Sequence, residues 1–179
     1  MNASPEPCPC EGNSPDGAPG PVRDEETVIR FVPLRGWVAR SGTGRAELTV
    51  AAFPEQELEG RNGRSVSVLR TSTEPEDLAR RAAARNREPA WAGDPVVARG
   101  PVGPMRQLRD GAKRREICVN ADPVKDDLGH CATHASILRS DPPPDRTRRL
   151  QRAKLRLVLA SVFIEIAHLS GAPFTDWGG

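Results

Sequence analysis

Two histidines and a cysteine are the residues of this chain best suited to chemistry. His130, Cys131 and His134 fall within the segment Leu-Gly-His-Cys-Ala-Thr-His-Ala-Ser-Ile, residues 128–137. If the segment is a strand, its period of two places His130 and His134 on one face and Cys131 on the other. If it is a helix, the histidines lie one turn apart and Cys131 joins an apolar stripe. Either interpretation puts the two imidazoles on a shared face.

Acidic residues precede these histidines. Asp122, Asp126 and Asp127 belong to the segment Asp-Pro-Val-Lys-Asp-Asp. A carboxylate beside an imidazole raises its pKa or orients one of its ring nitrogens, as in a general base or a metal ligand. One hypothesis is therefore a small metal-dependent or His-based enzyme centred on His130 and His134, with one of these acids nearby and arginines gathering an anionic substrate. The alternative is a solvated turn that begins at Asp-Pro.

Zinc is a second possibility at this segment. Cys118, His130, Cys131 and His134 supply four donors of a suitable type, but their spacing matches no standard finger or ribbon. Adjacent residues 130 and 131 would need a distorted backbone for both to reach one tetrahedral ion. We therefore favour no metal and no cofactor, and interpret the cysteines as reduced core thiols. A catalytic thiol is also disfavoured, because Cys131 and His134 diverge on a strand.

Basic residues crowd the start of the last predicted helix. Arg149, Arg152 and Arg156 share a helical face, and Arg146 precedes them. Such a face could bind phosphates, so binding of nucleic acid or another polyanion is a further alternative. A solvated charged face is the ordinary interpretation. The chain contains four Phe, three Trp and no Tyr, which leaves little material for stacking on bases.

The elements that must position these residues begin with a β-rich first half. Short apolar runs rich in β-branched residues, separated by Gly, Pro, Asn and Ser, predict strands. These runs cover residues 27–32, 36–40, 46–53 and 65–70, and later residues 95–99 and 116–119.

Two helices are predicted from their end signals. Residues 76–85 follow Pro75 and carry acids in the first turn and bases in the last, which complements the helix dipole. Residues 145–169 carry apolar side chains at helical spacing, with Gly171 and Pro173 as a stop. The second half of that helix has few polar residues, so we expect it to be buried on most sides. Residues 100–115 are predicted to be a short helix or a loop.

The predicted fold class is α+β, with a small mixed or antiparallel sheet packed against a long C-terminal helix and one or two shorter helices. A chain of 179 residues favours one domain. Residues 1–24 hold Pro, Gly and acids with almost nothing to bury, which predicts a disordered acidic tail. We predict the single domain over residues 25–172 and a flexible end over residues 173–179.

Charge and hydropathy limit the function classes. The net charge is +2, and the surplus of acids in the first 26 residues leaves a mildly basic remainder, too weak to argue for nucleic acid by itself. No run of 18 apolar residues and no apolar leader segment is present, so we expect a cytoplasmic protein without a membrane partner.

Part of the chain resembles a group of small bacterial proteins of no established activity. These carry Asp-Pro, a few acidic or loop residues, then His-Ala and an aliphatic strand end. Asp122 to His130 matches the first part, and the His-Ala step falls either at His130, where Cys131 follows, or at His134. Trp37 and the Ala-Ala-Phe run that ends at Phe53 fit the same group. The resemblance spans residues 28–138 and implies a compact α+β domain, with a strand at residues 134–138.

No complete catalytic constellation is visible in the sequence. The predicted function is therefore a non-catalytic accessory or protein-interaction protein in a bacterial cytosol. Its expected partner is another protein, or a second copy bound through the apolar last helix.

Overall fold

Residue 12 and residues 14–58, 65–91, 93–109, 115–139 and 148–172 are described by the structure, a computed structural model, with residues 55–56 and 148–152 described as backbone only. The strands of these residues are β1 (Thr27–Val32), β2 (Trp37–Arg40), β3 (Arg45–Leu48), β4 (Val66–Arg70), β5 (Val96–Pro101), β6 (Ile117–Ala121), β7 (Val124–Asp126), β8 (Gly129–Cys131), β9 (His134–Arg139) and β10 (Glu165–His168). The α-helices are α1 (Glu55–Leu58), α2 (Pro75–Arg85), α3 (Val102–Arg106) and α4 (Arg148–Val162).

Six of the strands form one antiparallel sheet in the order β10-β5-β1-β4-β9-β6. Strands β2 and β3 form a separate hairpin, and β7 and β8 form another. The second hairpin joins β6 to β9, so the two strands that flank it lie side by side in the main sheet. This arrangement brings residues 117–139 to one end of the sheet.

One face of the main sheet carries the larger core. Alternate residues of the strands point into it, among them Val28, Val66 and Ile137, each fully buried. Helix α4 packs against this face through Leu155 and Leu159. Burying such a side chain contributes about 1.5–3 kcal/mol to folding.

The opposite face carries a smaller core under helix α2. Ile29, Phe31 and Leu69 point toward it from the sheet. Leu78 and Ala82, one turn apart on α2, pack against them. The helix forms where the sequence predicts it, because its first turn contains Pro75 and two acids and its last turn contains an arginine.

The predicted long C-terminal helix over residues 145–169 was wrong, and the predicted fold class was wrong with it. Helix α4 ends at Val162, and the chain continues as β10, in which Ile166 lies opposite Ala98. Strand β10 hydrogen-bonds along the edge of β5, while Phe163 fills the larger core. The helical spacing of residues 163–169 is a local pattern and does not reveal that the edge of β5 is open to a partner strand. Pairing with β5 therefore overrides the helical pattern.

The expected burial of this segment on most sides was also wrong. Leu157 on α4 is 60% exposed, and Ile164, just before β10, is 72% exposed. The molecule is rich in sheet, and its described helices are short.

Most of the predicted strands are confirmed. The structure places strands within or close to residues 27–32, 36–40, 65–70, 95–99 and 116–119. Residues 46–53 differ, because β3 ends at Leu48 and Val50–Ala52 form a 3₁₀ turn. The hydroxyl of Thr49 accepts a hydrogen bond from the Ala51 N–H at 3.2 Å and caps that turn. For residues 100–115 the sequence left a short helix or a loop open, and the structure shows a short helix, α3.

The predicted N-terminal tail lies only partly within the described residues. Residues 1–11 and 13 lie outside them, as does the predicted flexible end over residues 173–179. Toward the end of the tail, Val22 is buried in the larger core and Asp24 binds Arg106 at 2.7 Å. The packed part of the chain therefore begins before residue 25.

Among the described residues, no helix combines the length and the apolar character needed to cross a membrane.

Candidate active site

A cleft of about 350 Å³ lies between the smaller-core face of the main sheet and helix α2. Its floor consists of side chains from β1, β4 and β9, and its walls are α2 and the β7–β8 hairpin. Ser67 and His134 supply polar groups from the floor, and Arg81 and Arg85 supply them from the helix. Such a concave site with a few convergent polar groups is typical of a small-molecule pocket.

Ser67 and His134 are hydrogen-bonded across two neighbouring strands. The register of β4 and β9 pairs Leu69 with His134 and Ser67 with Ser136. Ser67 and His134 are therefore diagonal neighbours on one face, close enough for an imidazole to span the gap. The distance from Ser67 Oγ to His134 Nε2 is 2.8 Å.

The second ring nitrogen of His134 fixes the tautomer. Nδ1 lies 2.5 Å from the backbone carbonyl oxygen of Asp122, which can only accept a hydrogen bond. Nδ1 therefore carries the proton and donates it to that carbonyl. Nε2 then has a free lone pair and accepts the hydroxyl hydrogen of Ser67. This is the tautomer in which an imidazole can act as a general base.

Burial keeps this imidazole neutral. His134 is 8% exposed, and desolvation lowers its pKa below the ordinary value of 6.5. The Asp122 carboxylate acts in the opposite direction, but its Oδ2 lies 3.8 Å from Nδ1 and its side chain is half exposed. Desolvation is the larger effect, so His134 is uncharged at neutral pH.

The Asp122 carboxylate is held by a chain of hydroxyl groups. The Ser136 hydroxyl donates to Asp122 Oδ2. The Ser136 hydroxyl oxygen lies 2.6 Å from that of Ser65. Ser65 and Ser67 flank Val66 and take the same side of the sheet, so β4, β9 and the end of β6 share one polar network.

The two arginines of α2 differ in their partners. Arg81 is 6% exposed and donates to Asp77 at 3.0 Å and to Asp126 at 2.7 Å. Its Nη2 atom is buried and has no hydrogen-bond partner among the described residues. The Arg85 guanidinium lies over the rings of Phe31 and Trp91, at 5.2 and 5.1 Å from their centroids.

The predicted pair of histidines is not brought together on one strand or one helix. Residues 128–137 form the end of a hairpin, a turn and the start of β9, so both interpretations of a single element were wrong. His134 lines the cleft in the main sheet. His130 is exposed in β8. Gly17 lies close to its ring, since a Cβ atom added at Gly17 would be 3.0 Å from the imidazole.

The other predicted site residues are dispersed. Asp126 binds Arg81, whereas Asp127 is exposed in the turn of the β7–β8 hairpin. Cys118 is disulfide-bonded, and Cys131 is a buried free thiol. The interpretation of Cys118 as a reduced thiol was therefore wrong. In the described part of the chain, no three His, Cys, Asp or Glu side chains form a group that could hold a metal ion.

The predicted polyanion face is described only in part. Arg146 lies outside the described residues. Arg149 and Arg152 lie in α4, where only their backbone is described. Arg156 donates to the carbonyl oxygens of Val50 and Phe53, at 2.7 and 2.6 Å. This arginine therefore connects α4 to the 3₁₀ turn.

Ser67, Arg81 and Arg85 were missed at the level of sequence. A signal for them was present, because Ser65 and Ser67 alternate with buried valines just as His134 and Ser136 alternate with Ala135 and Ile137. Two strands with apolar residues on one face and hydroxyl or imidazole groups on the other indicate a polar surface patch. The pairing of those two strands was the missing information.

Comparisons with family models, curated proteins and solved structures found no match for this chain. Its function is therefore inferred from the geometry of the cleft.

Proposed function

We propose that the protein is a small serine hydrolase that cleaves esters, with Ser67 as the nucleophile and His134 as the general base. The observation that carries this proposal is the 2.8 Å hydrogen bond between Ser67 Oγ and His134 Nε2 in an open cleft. A nucleophile and a base at this distance, with the base oriented by a third group, are the structural signature of an activated nucleophile. The carbonyl of Asp122 is that third group.

The proposed reaction has two steps. Ser67 Oγ attacks the carbonyl carbon of the ester while its proton moves to His134 Nε2, and the alcohol leaves with that proton. The acyl group is then bound to Ser67. In the second step His134 takes a proton from water, the resulting hydroxide attacks the acyl carbon, and the proton returns to Ser67 as the acid leaves. The sum is ester plus water giving carboxylic acid plus alcohol.

The surroundings of His134 suit this cycle. Its neutral resting state leaves Nε2 free to accept a proton. When the ring becomes cationic, the Nδ1–H remains bonded to the Asp122 carbonyl, and the Asp122 carboxylate at 3.8 Å offsets part of the charge. Asp122 thus serves as a positioning residue through its backbone and as an electrostatic partner through its side chain.

A purely structural cross-strand hydrogen bond is the competing interpretation of the Ser67–His134 pair. Such pairs stabilise a sheet by about 0.2–1 kcal/mol and need no access to ligand. Both residues here line a cleft large enough for a small ester, with apolar side chains of β1 and β4 beside them. Access from solvent therefore favours the catalytic interpretation over the structural one.

The proposal is tested by labelling with a fluorophosphonate, which forms a covalent bond to the oxygen of an activated serine and releases fluoride. We expect one label per chain, located by peptide mass spectrometry at Ser67. Hydrolysis of 4-nitrophenyl acetate should fall by about 10³-fold or more in Ser67→Ala and in His134→Gln, because each change removes one member of the pair.

The matched control is Ser72→Ala, which changes an exposed serine just after the same strand. It should be labelled and should hydrolyse the ester as the unaltered protein does. A folded wild-type protein that takes no label and does not accelerate hydrolysis would contradict the proposal, as would labelling at any other serine.

A second candidate function, self-association, is favoured by one observation on another surface. A groove between α4 and the β2–β3 hairpin exposes Leu157 and Ile164 to solvent, at 60% and 72%. Exposed apolar side chains grouped in this way are typical of interaction sites. Arg40, Arg45 and Glu47 also line the groove, and Glu47 is paired with Arg40 within the chain. The proposed occupant is a second copy of this chain, since a groove that carries both signs of charge beside its apolar residues is suited to a two-fold contact.

A further inference from the structure

We infer that the cleft selects esters that carry a second, anionic group, a carboxylate or a phosphate, held by Arg85 and Arg81. This inference rests on the proposed function, because it assigns the substrate class of the same cleft. The two arginines lie four residues apart and hence one turn apart on the same face of α2, and both line the cleft.

Arg81 provides an unused buried donor. Arg81 is only 6% exposed and lines the cleft. Two of its nitrogens bind Asp77 and Asp126, but Nη2 has no partner among the described residues. A buried N–H without a partner destabilises the folded protein, and a ligand oxygen that accepts its hydrogen bond would remove that cost.

In the described part of the chain, no carboxylate forms a hydrogen bond or an ion pair with the Arg85 guanidinium, although Glu57 and Glu88 attract it at longer range. Phe31 and Trp91 lie against its guanidinium and hold the side chain in place. A guanidinium donates in its own plane, so stacking on rings leaves its N–H groups available to an acceptor. A carboxylate or phosphate matches that planar set of donors with two parallel hydrogen bonds.

The acids near the cleft do not saturate these donors. Asp126 lines the cleft and is bound to Arg81. Glu88 lines it as well, but it is exposed beyond the end of α2, where water screens its charge. His134 is neutral. The apolar side chains of the floor are Ile29, Phe31 and Leu69. They suit the carbon chain of a substrate rather than a second charge.

The test compares two esters that differ in one charge. The 4-nitrophenyl monoester of adipic acid carries a terminal carboxylate, and 4-nitrophenyl hexanoate is its neutral counterpart. We expect kcat/KM to be about 10-fold to 100-fold higher for the anionic ester. Arg85→Met should remove that preference by lowering kcat/KM for the anionic ester toward the value for the hexanoate ester. The two esters are compared as a ratio within each variant, so a general change in activity does not affect the result, and methionine keeps apolar contact with the two rings.

The matched control is Arg87→Met, which removes an exposed arginine two residues away. It should leave the preference intact. Equal rates for the two esters, or a preference that survives Arg85→Met, would overturn the inference while leaving the proposed hydrolase in place.

A binding measurement separates the anion site from the chemistry. Isothermal titration of Ser67→Ala with adipate and with hexanamide should show binding of adipate, weakened about 10-fold or more by adding Arg85→Met, and weaker binding of hexanamide. Adipate binding that depends on Arg85 in a protein without esterase activity supports the anion site and contradicts the hydrolase. Absence of adipate binding overturns the anion site.

Discussion

At the scale of single residues, the contrast between His134 and His130 shows how surroundings define the role of an imidazole. Both side chains belong to one ten-residue segment, yet His134 is buried with both ring nitrogens engaged and His130 is exposed. Desolvation acts only where water is excluded, so it lowers the pKa of His134. A neutral, oriented imidazole results at His134.

The lowered pKa of His134 predicts a dependence of stability on pH. Below the unfolded pKa of about 6.5, the unfolded chain binds a proton that the folded protein excludes until its own, lower pKa is reached. Stability should therefore fall as the pH decreases from 7.5 through 6.5 to 5.5. The expected loss is on the order of 1 kcal/mol for each unit by which folding lowers the pKa. Urea unfolding at several pH values measures it.

The control variants isolate this histidine from the carboxylates that titrate at lower pH. His134→Gln should lose this part of the pH dependence, whereas His130→Gln should retain it. An unchanged pH dependence in His134→Gln would show that the imidazole is not desolvated in the folded protein.

At the scale of elements, the end of the chain illustrates competition between helix and strand. Residues 163–169 satisfy helical spacing, but β10 pairs with β5 over four residues. A helix that continued past Val162 would leave the edge of β5 without this partner. Because backbone hydrogen bonds and the burial of Phe163 both favour the strand, the helix ends at the larger core.

Substituting valine for alanine distinguishes a strand from a helix at residue 167. Ala167→Val changes an exposed residue of β10 and should leave the free energy of unfolding unchanged or raise it by up to about 0.5 kcal/mol, because valine favours strands. Ala153→Val, at an exposed position in α4, should lower it by about 0.5 kcal/mol. Chemical unfolding of both variants provides the comparison. Equal destabilisation by the two changes would contradict a strand at Ala167.

At the scale of the whole molecule, the two faces of the main sheet differ in how completely they are covered. The larger core on one face supplies most of the apolar burial and includes Leu159 of α4. The other face is only partly covered by α2, which leaves the cleft open beside the Ser67–His134 pair. A well-packed face stabilises the fold, and an incompletely packed face admits a ligand.

The exposed groove predicts that two copies of the chain associate. Light scattering during size-exclusion chromatography should give about twice the monomer mass of 19.4 kDa. Leu157→Glu should shift the protein to the monomer, because it places a charge in the apolar contact. Leu34→Glu, at a 38% exposed residue that does not line the groove, should leave the mass unchanged. A wild-type monomer at all concentrations tested would exclude this self-association.

The parts of the site that could be predicted are those set by local sequence. Asp122 and His134 were identified as candidates because acids precede the histidines in one short segment. Ser67 was not, since it is separated from His134 by 67 residues and contacts it only through the pairing of β4 with β9. The pairing of Arg81 with Asp126 spans 45 residues and was hidden for the same reason.

The sequence by itself determined the elements whose signals are local, namely most strands of the first half and helix α2 with its acids and arginine at opposite ends. Alternation and end signals depend on residues a few positions apart, so a linear pattern is sufficient to predict them. Tertiary structure alone decided the strand order, the change from helix to strand after Val162, and the meeting of Ser67 with His134. These features depend on hydrogen bonds and burial between segments far apart in the chain, which no local pattern encodes.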